Sequence, residues 1–417
     1  MKRNTRKGFT GIELVIVIAI IAILAASLIP AFGGLFKSAN KTADVQLAKN
    51  LNTALLLHGI NSDVDDFGDV LSAARAEGYL ISNLNPTSEG YYLVWESESN
   101  QFLLVDSKND YEVVFAASSD YSTVSANWHF ITSDLEAAAQ LEAHGYQVAR
   151  AATTTSDLIT LVAQGNGQTV YVDESIKVDV NNVIHLSNGS MTVDLGANSV
   201  TGGSDDESAA ATPIQVTGGA TLNLKGGVLS ATAAFVDADG RTGYCVAEVV
   251  DGVLNIENTV ISIDAATTYC VSYDEGTGTI KNVTFDIPNK RQAVGIFGGS
   301  VVLMKDCIVD AFAEVVFCST SQGGDGSKVT IDGGNYHAQK ELIAVYGGEV
   351  VIKDGVFTCD DAAKLFQVYA YGTPKITING GTFNGKTLAD LGKDGLQALT
   401  TGGTVVDNGD GTFTISR

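Results

Sequence analysis

Three hydrophobic rhythms divide the chain. From Leu14 to Phe36 there is no charged residue, a run of 23 positions rich in Val, Ile, Leu and Ala. As a helix the run would measure about 35 Å at ~1.5 Å per residue, enough to cross a bilayer core of ~30 Å. After Lys37 the helical rhythm continues in polar company, with Ala43, Leu47, Leu51 and Leu55 recurring every four residues beside Lys41, Asp44, Lys49 and Asn50. Only one stripe is apolar, so this half of the helix is expected to lie against a globular head. A second short helix is expected over 69–77, two strands around a polar turn in YYLVWESESNQFLLVD (91–106), and a third helix from a capping box at Ser133 and Glu136 through His144. Helix plus hairpin predicts a small α+β head over 37–150.

The third rhythm begins near residue 155. There Ser156 offers an N-cap to a short apolar-striped helix, followed by a Gly break and a strand over 169–173, the look of an end cap. Beyond it one phrase repeats: LNLKGGVL, LNIENTVI, GTIKNVTF, VLMKDCIV, VTIDGGNY, VVIKDGVF and ITINGGTF. Its anchors Leu224, Ile256, Ile280, Met304, Ile331, Ile352 and Ile378 are spaced by 32, 24, 24, 27, 21 and 26 residues. Two residues after each anchor stands Gly, Asn or Asp, which tolerate the left-handed backbone of a corner. Five residues after it the side chain is apolar or aromatic in every repeat. A further strand ending in Gly precedes the later phrases, as in AVGIFGG, LIAVYGG and LFQVYAYG. Three short strands per turn predict an all-β parallel solenoid over 151–417, closed by a hairpin around the turn 408–411.

Composition narrows the chemistry. The formal charge of −23 and the scarcity of Arg beyond the first eight residues argue against a nucleic-acid partner. With 45 Gly against 5 Pro the turns are tight and the outer part is expected to be folded. Cys245, Cys270, Cys307, Cys318 and Cys359 form no CxxC pair and read as small buried core residues rather than disulfides. Asn61, Asp63 and Asp65 have the spacing of a calcium loop, but Asp66 stands where that loop needs Gly and Ser72 where it needs its bidentate acid. The acidic turn DNGDG reads as a hairpin, and His58, His129 and His144 are isolated, so neither metal nor cofactor is expected.

The N-terminus carries the most specific signal. MKRNTRKG holds four cations and no acid, and Glu13 stands alone at the start of the apolar run, where a carboxylate needs a partner. The stretch RKGFTGIELVIVIAIIAILAASLIPAF resembles the type IV prepilin signal along its whole length. The resemblance implies cleavage by a prepilin peptidase after Gly8, with Phe9 the N-methylated first residue of the mature chain. It implies an assembly role for Glu13, which would neutralise the terminal ammonium of a neighbouring subunit, and a helix bend at Pro30. Segments 1–8 and 9–36 then read as leader and membrane-spanning assembly helix, and the chain as a single-pass membrane precursor, later part of an extracellular pilus or the cell surface. Other pilin subunits, the peptidase and, before assembly, the membrane are the implied partners.

The repeats resemble the right-handed parallel β-helix of the pectate-lyase-like superfamily, cap helix included. Many such folds cleave acidic polysaccharides, which makes a pilus-displayed lyase or hydrolase the competing reading. The family's clustered catalytic patterns are missing: Asp205–Asp206 and Asp360–Asp361 stand without companions, and Arg241 and Arg291 are poor provision for a polyanion. No enzyme is expected. Tyr269, Tyr273, Tyr346, Tyr369 and Tyr371, on the strand before the Gly turn, are the candidate ligand-binding residues, half of them expected to fill the core. The favoured reading is a minor or tip pilin-like subunit displaying a solenoid for adhesion or for binding a glycan or cell surface. A pseudopilin of a secretion or DNA-uptake system shares the same signal.

Overall fold

The computed structural model describes residues 11–57, 67–124, 127–179, 182–202, 212–231, 245–263, 269–287, 292–319, 326–360, 364–368, 374–384 and 392–416, with side chains 11, 27–33, 364, 392–395 and 416 also outside the description. The chain falls into two compact units, Met1–Val148 and Ala149–Arg417.

The first unit is built on one long helix, α1 (Gly11–Leu57). Among the described residues no helix is long and apolar enough to cross a membrane, and the middle of the charge-free run, with Pro30, belongs to the side chains outside the description. The amphipathic half of α1 behaves as its pattern predicts: Ala48, Leu51, Ala54 and Leu55 are buried. Against it packs an antiparallel sheet of β1 (Tyr91–Glu96), β2 (Gln101–Asp106), β3 (Glu112–Phe115) and β4 (Trp128–Ile131), with β1 between β4 and β2 and β3 beyond β2. Two polar side chains of α1 fix this docking. Asn52 donates to the Phe102 carbonyl and accepts from the Phe102 amide, both at 2.9 Å, pairing the backbone of β2 beyond the stretch 104–106 that β3 covers. Asp44, almost fully buried, accepts from the amides of Thr87 and Ser88 and from the Thr87 hydroxyl.

Two helices start elsewhere than the pattern suggests. The second, α2, runs Phe67–Ala76 and buries Phe67 beside Trp95 and His129. His129 is a packing residue, and burial lowers its pKa against the opposing effects of a hydrogen bond to Gln147 and the charge of Glu96. The third, α3 (Leu135–Ala143), is capped by Asp134, whose carboxylate takes the amides of Glu136 and Ala137, not by Ser133. A carboxylate outbids a hydroxyl here because it brings charge to the positive end of the helix.

The second unit is a parallel β-solenoid. Helix α4 (Thr155–Val162) opens it with a reciprocal capping box between Thr154 and Asp157, two residues before the expected Ser156, and buries Leu158, Leu161 and Val162 in the first coil. Three strand columns follow. The anchors stand in one in-register ladder: Leu224 opposite Ile256, then Ile280, Met304, Ile331, Ile352 and Ile378. The residues five further on form the second ladder, Leu229, Ile261, Phe285, Val309, Tyr336, Phe357 and Phe383. The third column is an eight-stranded sheet running from Ile184–Leu186 to Lys364–Val368.

The corner residue has positive φ at Gly226, Asn258, Asn282, Asp306 and Gly333. In the last two coils positive φ falls one place on, at Gly355 and Gly381; glycine takes it at less cost than Asp354 would. At the far end α5 (Gly392–Leu399), which the pattern did not predict, buries Leu396, and the hairpin Thr404–Asp407 with Thr412–Ser416 pairs antiparallel to Thr382–Asn384. An antiparallel strand ends the column because the next coil's parallel partner is replaced by one running the other way.

Inside, Phe357 is stacked between Tyr336 at 5.1 Å and Phe383 at 4.9 Å, with rings within about 10° of parallel. All five cysteines are buried free thiols. Phe357→Ala should lower the unfolding free energy of the solenoid by about 3–5 kcal/mol, read from the urea midpoint of its transition, since truncation leaves a cavity in a column that cannot collapse without breaking register.

Candidate functional site

Of the residues singled out by sequence, Gly8, Phe9, Tyr369 and Tyr371 lie outside the described residues, as do Arg241, Arg291, Asp205, Asp206 and Asp361. Glu13 sits in the first turn of α1. Tyr273 is fully buried, and its hydroxyl donates to the Leu254 carbonyl at 2.9 Å, filling the space a side chain on Gly278 would need. It is therefore a core residue and leaves the ligand-binding set. Its place follows from register: Tyr273 pairs with Val249 and Ile296, both interior.

Tyr269 and Tyr346 are brought together on the outer face of the eight-stranded sheet, with two aromatics that the sequence reading missed. Ring centroids are 5.2 Å apart for Tyr269 and Phe297, 5.5 Å for Tyr269 and Phe317, 5.7 Å for Phe297 and Phe317, and 5.0 Å for Phe317 and Tyr346. The four rings come from four successive coils. Gly295, in register with Phe317, makes room for them: a Cβ there would stand 2.7 Å from the Tyr269 ring and 2.9 Å from the Phe297 ring. Phe297 was legible in principle, because it aligns with the exposed Asp274 of the coil before and so belongs to an outward column.

Two acids and an amide border the patch. Gln292 is the in-register neighbour of Tyr269, and the Glu314 carbonyl accepts from the Ala293 amide at 3.0 Å. Among the described residues, Gln292 Oε1 and Glu314 Oε2 are shut off from solvent without a hydrogen-bond partner. Burial first, and then the charges of Glu314 and Tyr346, push the Tyr269 hydroxyl well above the ordinary phenol range. Asp274 closes the strand that begins with Tyr269. Among the described residues no group of three or more His, Cys, Asp or Glu is arranged to hold a metal ion.

A second polar cluster lies on the outer face of another column. Asp310 and His337 are register neighbours, and His337 Nδ1 meets Asp310 at 2.7 Å while Nε2 meets Asp360 at 3.2 Å. With both ring nitrogens held by carboxylates the imidazolium form is favoured, and neither nitrogen is open to take a proton from a substrate. The cluster clips three coils together, as Lys328–Glu349–Lys375 does on the first column at 2.9 and 2.7 Å.

No protein-family model, curated protein or solved structure matches the chain. The fold and its outer face define the class alone: a parallel β-solenoid presenting an aromatic patch bordered by carboxylate.

Partial burial lowers the His337 pKa, but the hydrogen bonds to Asp310 and Asp360 and their charges outweigh it, and the net shift is upward from 6.5. The stabilisation is then fully present below 6.5 and is lost as pH rises through the raised value of the folded state. Between about pH 6 and about pH 9 the urea midpoint of the wild-type solenoid should fall relative to that of His337→Gln, whose midpoint lacks this component.

Proposed function

We propose that the chain is a type IV pilin-like precursor, cleaved after Gly8, which crosses the membrane by its N-terminal helix before assembly and then enters a filament as a minor or tip subunit. Its solenoid is displayed outward for adhesion. The observation that carries this reading is the upstream half of α1. Ile12, Leu14, Val15, Ile16, Val17, Ile18, Ile20, Ile21, Ile23 and Leu24 are all exposed, Ile12 by 75% and Ile23 by 70%. At 100° per residue these positions cover every side of the helix, so no orientation against one partner would bury them all. A helix apolar all round works inside lipid or among other helices. Burial of each such side chain is worth about 1.5–3 kcal/mol, a driving force for insertion and for packing in a filament core.

The downstream half supports the same division of labour. Asn52 fastens it to β2 and Asp44 to the 87–88 segment ahead of β1, so the head travels with the helix as one piece when the subunit is placed. The prepilin-like residues Gly8, Phe9 and Glu13 supply the processing and assembly chemistry of the reading, and Pro30 the bend.

Intact-mass analysis of protein sheared from the cell surface should give a chain beginning at Phe9 and carrying one added methyl group. A chain beginning at Met1 refutes the processing, and so does one beginning downstream of the apolar run. In filaments, Glu13→Gln should be depleted while the membrane pool stays folded, since loss of one member of a buried ion pair costs on the order of 3–5 kcal/mol. Quantitative immunoblotting of sheared and membrane fractions checks it, and wild-type incorporation removes Glu13 from assembly.

A further inference from the structure

We infer that the outer patch of Tyr269, Phe297, Phe317 and Tyr346 binds an organic ammonium group, with the positive charge set against Glu314 and the side-chain carbonyl of Gln292. The inference deepens the surface-binding reading and rests on it for the setting in which ligand is met.

Most of what the patch offers attracts positive charge. Aromatic faces carry the negative lobe of the ring quadrupole, and a cation within about 6 Å of a ring centroid gains from it. Here four rings from four coils lie within 5.0–5.7 Å of their neighbours, so one small cation can meet more than one of them. At the border stand Gln292 Oε1 and Glu314 Oε2, two acceptors without a donor among the described residues. A carboxylate oxygen kept from water and given no donor is costly to hold. An ammonium at the patch sets positive charge beside Glu314 and C–H groups against the rings.

Other ligand classes fit less of this. A divalent metal needs several oxygen ligands, and among the described residues no group of three or more His, Cys, Asp or Glu is arranged to hold one. A uronate would set its carboxylate against Glu314 and Asp274 on a chain of formal charge −23. A neutral pyranose could stack on the rings, but it brings no charge to Glu314. The patch is also a built feature of the fold. Gly295 is required beneath it for space, since its φ is not in the left-handed region and its backbone would accept any residue.

The test is isothermal titration calorimetry on the full-length protein at fixed ionic strength, with tetramethylammonium chloride and butylammonium chloride as probes, sodium chloride as the salt control and cellotetraose as the neutral sugar. At least one ammonium salt should give saturable binding that sodium does not reproduce. Tighter binding of tetramethylammonium assigns recognition mainly to the rings, and tighter binding of butylammonium assigns it mainly to the acidic border of the patch. Glu314→Gln, which keeps the shape of the side chain, should weaken the interaction about tenfold or more, and Phe317→Ala should weaken tetramethylammonium further. A thermal melt of each variant matching the wild type shows that the fold is retained. Two results overturn the inference: ammonium heats no different from sodium, or cellotetraose binding that Glu314→Gln leaves unchanged. The second leaves surface binding standing, whereas processing and filament incorporation are read separately from mass and immunoblots, so failure of one reading is not mistaken for failure of the other.

Discussion

The register of the parallel ladder is the constraint on which the solenoid depends. No coil has a core of its own, and each inward side chain is covered by its equivalents one coil above and one below. In the column from Leu224 to Ile378 every partner is another aliphatic or Met304, and slipping one strand by a residue would turn its inward set outward. The constraint acts on interior positions and corners. Outward positions need only tolerate a strand, and so they can carry Asp310 and His337 on one column, Glu349 between two lysines on another, and aromatic rings on the third.

That asymmetry explains what could be read from the sequence. The anchors, the second inward ladder and the closing hairpin were legible because the same demand is repeated in coil after coil. Corners were legible where one residue must adopt positive φ, and misread by one place at Gly355 and Gly381, where two adjacent residues could each serve. Helix starts were misplaced at Asp134 and Thr154 because Ser133 and Ser156 can cap as well in isolation, and the tertiary path of the chain decides between neighbours. Outward chemistry has no period. Tyr273 and Tyr269 lie four residues apart in one strand, yet one fills the core and the other the surface, a difference visible only when the strand is aligned with its neighbours. Phe317 belongs to a strand of three residues, too short to announce a pattern, and Glu314 matters only because folding removes its oxygen from water.

The long helix obeys two solvents within one element. Near its end, polar side chains are spent on the sheet: Asn52 pairs with the Phe102 backbone and Asp44 collects the 87–88 turn. Upstream, from Leu14 to Leu24, the side chains are aliphatic on every side and exposed. Such a helix is continuous in backbone but divided in what its surface tolerates, and the change falls between Phe36 and Asp44, where charge returns.

The five buried thiols carry a further consequence, one of redox chemistry. Thiolate, not thiol, is the species that attacks disulfides and oxidants. Burial pushes Cys307 up to about 11 and Cys318 up to about 12, and raises Cys245 and Cys270 as well, so very little thiolate exists at neutral pH. With the sulfurs also closed off from solvent, the folded solenoid is inert toward thiol exchange, and oxidation can reach these positions only when a coil opens. A cysteine in this fold is thus a reporter of local unfolding: trapping by a thiol reagent would record which coils breathe, and in what order.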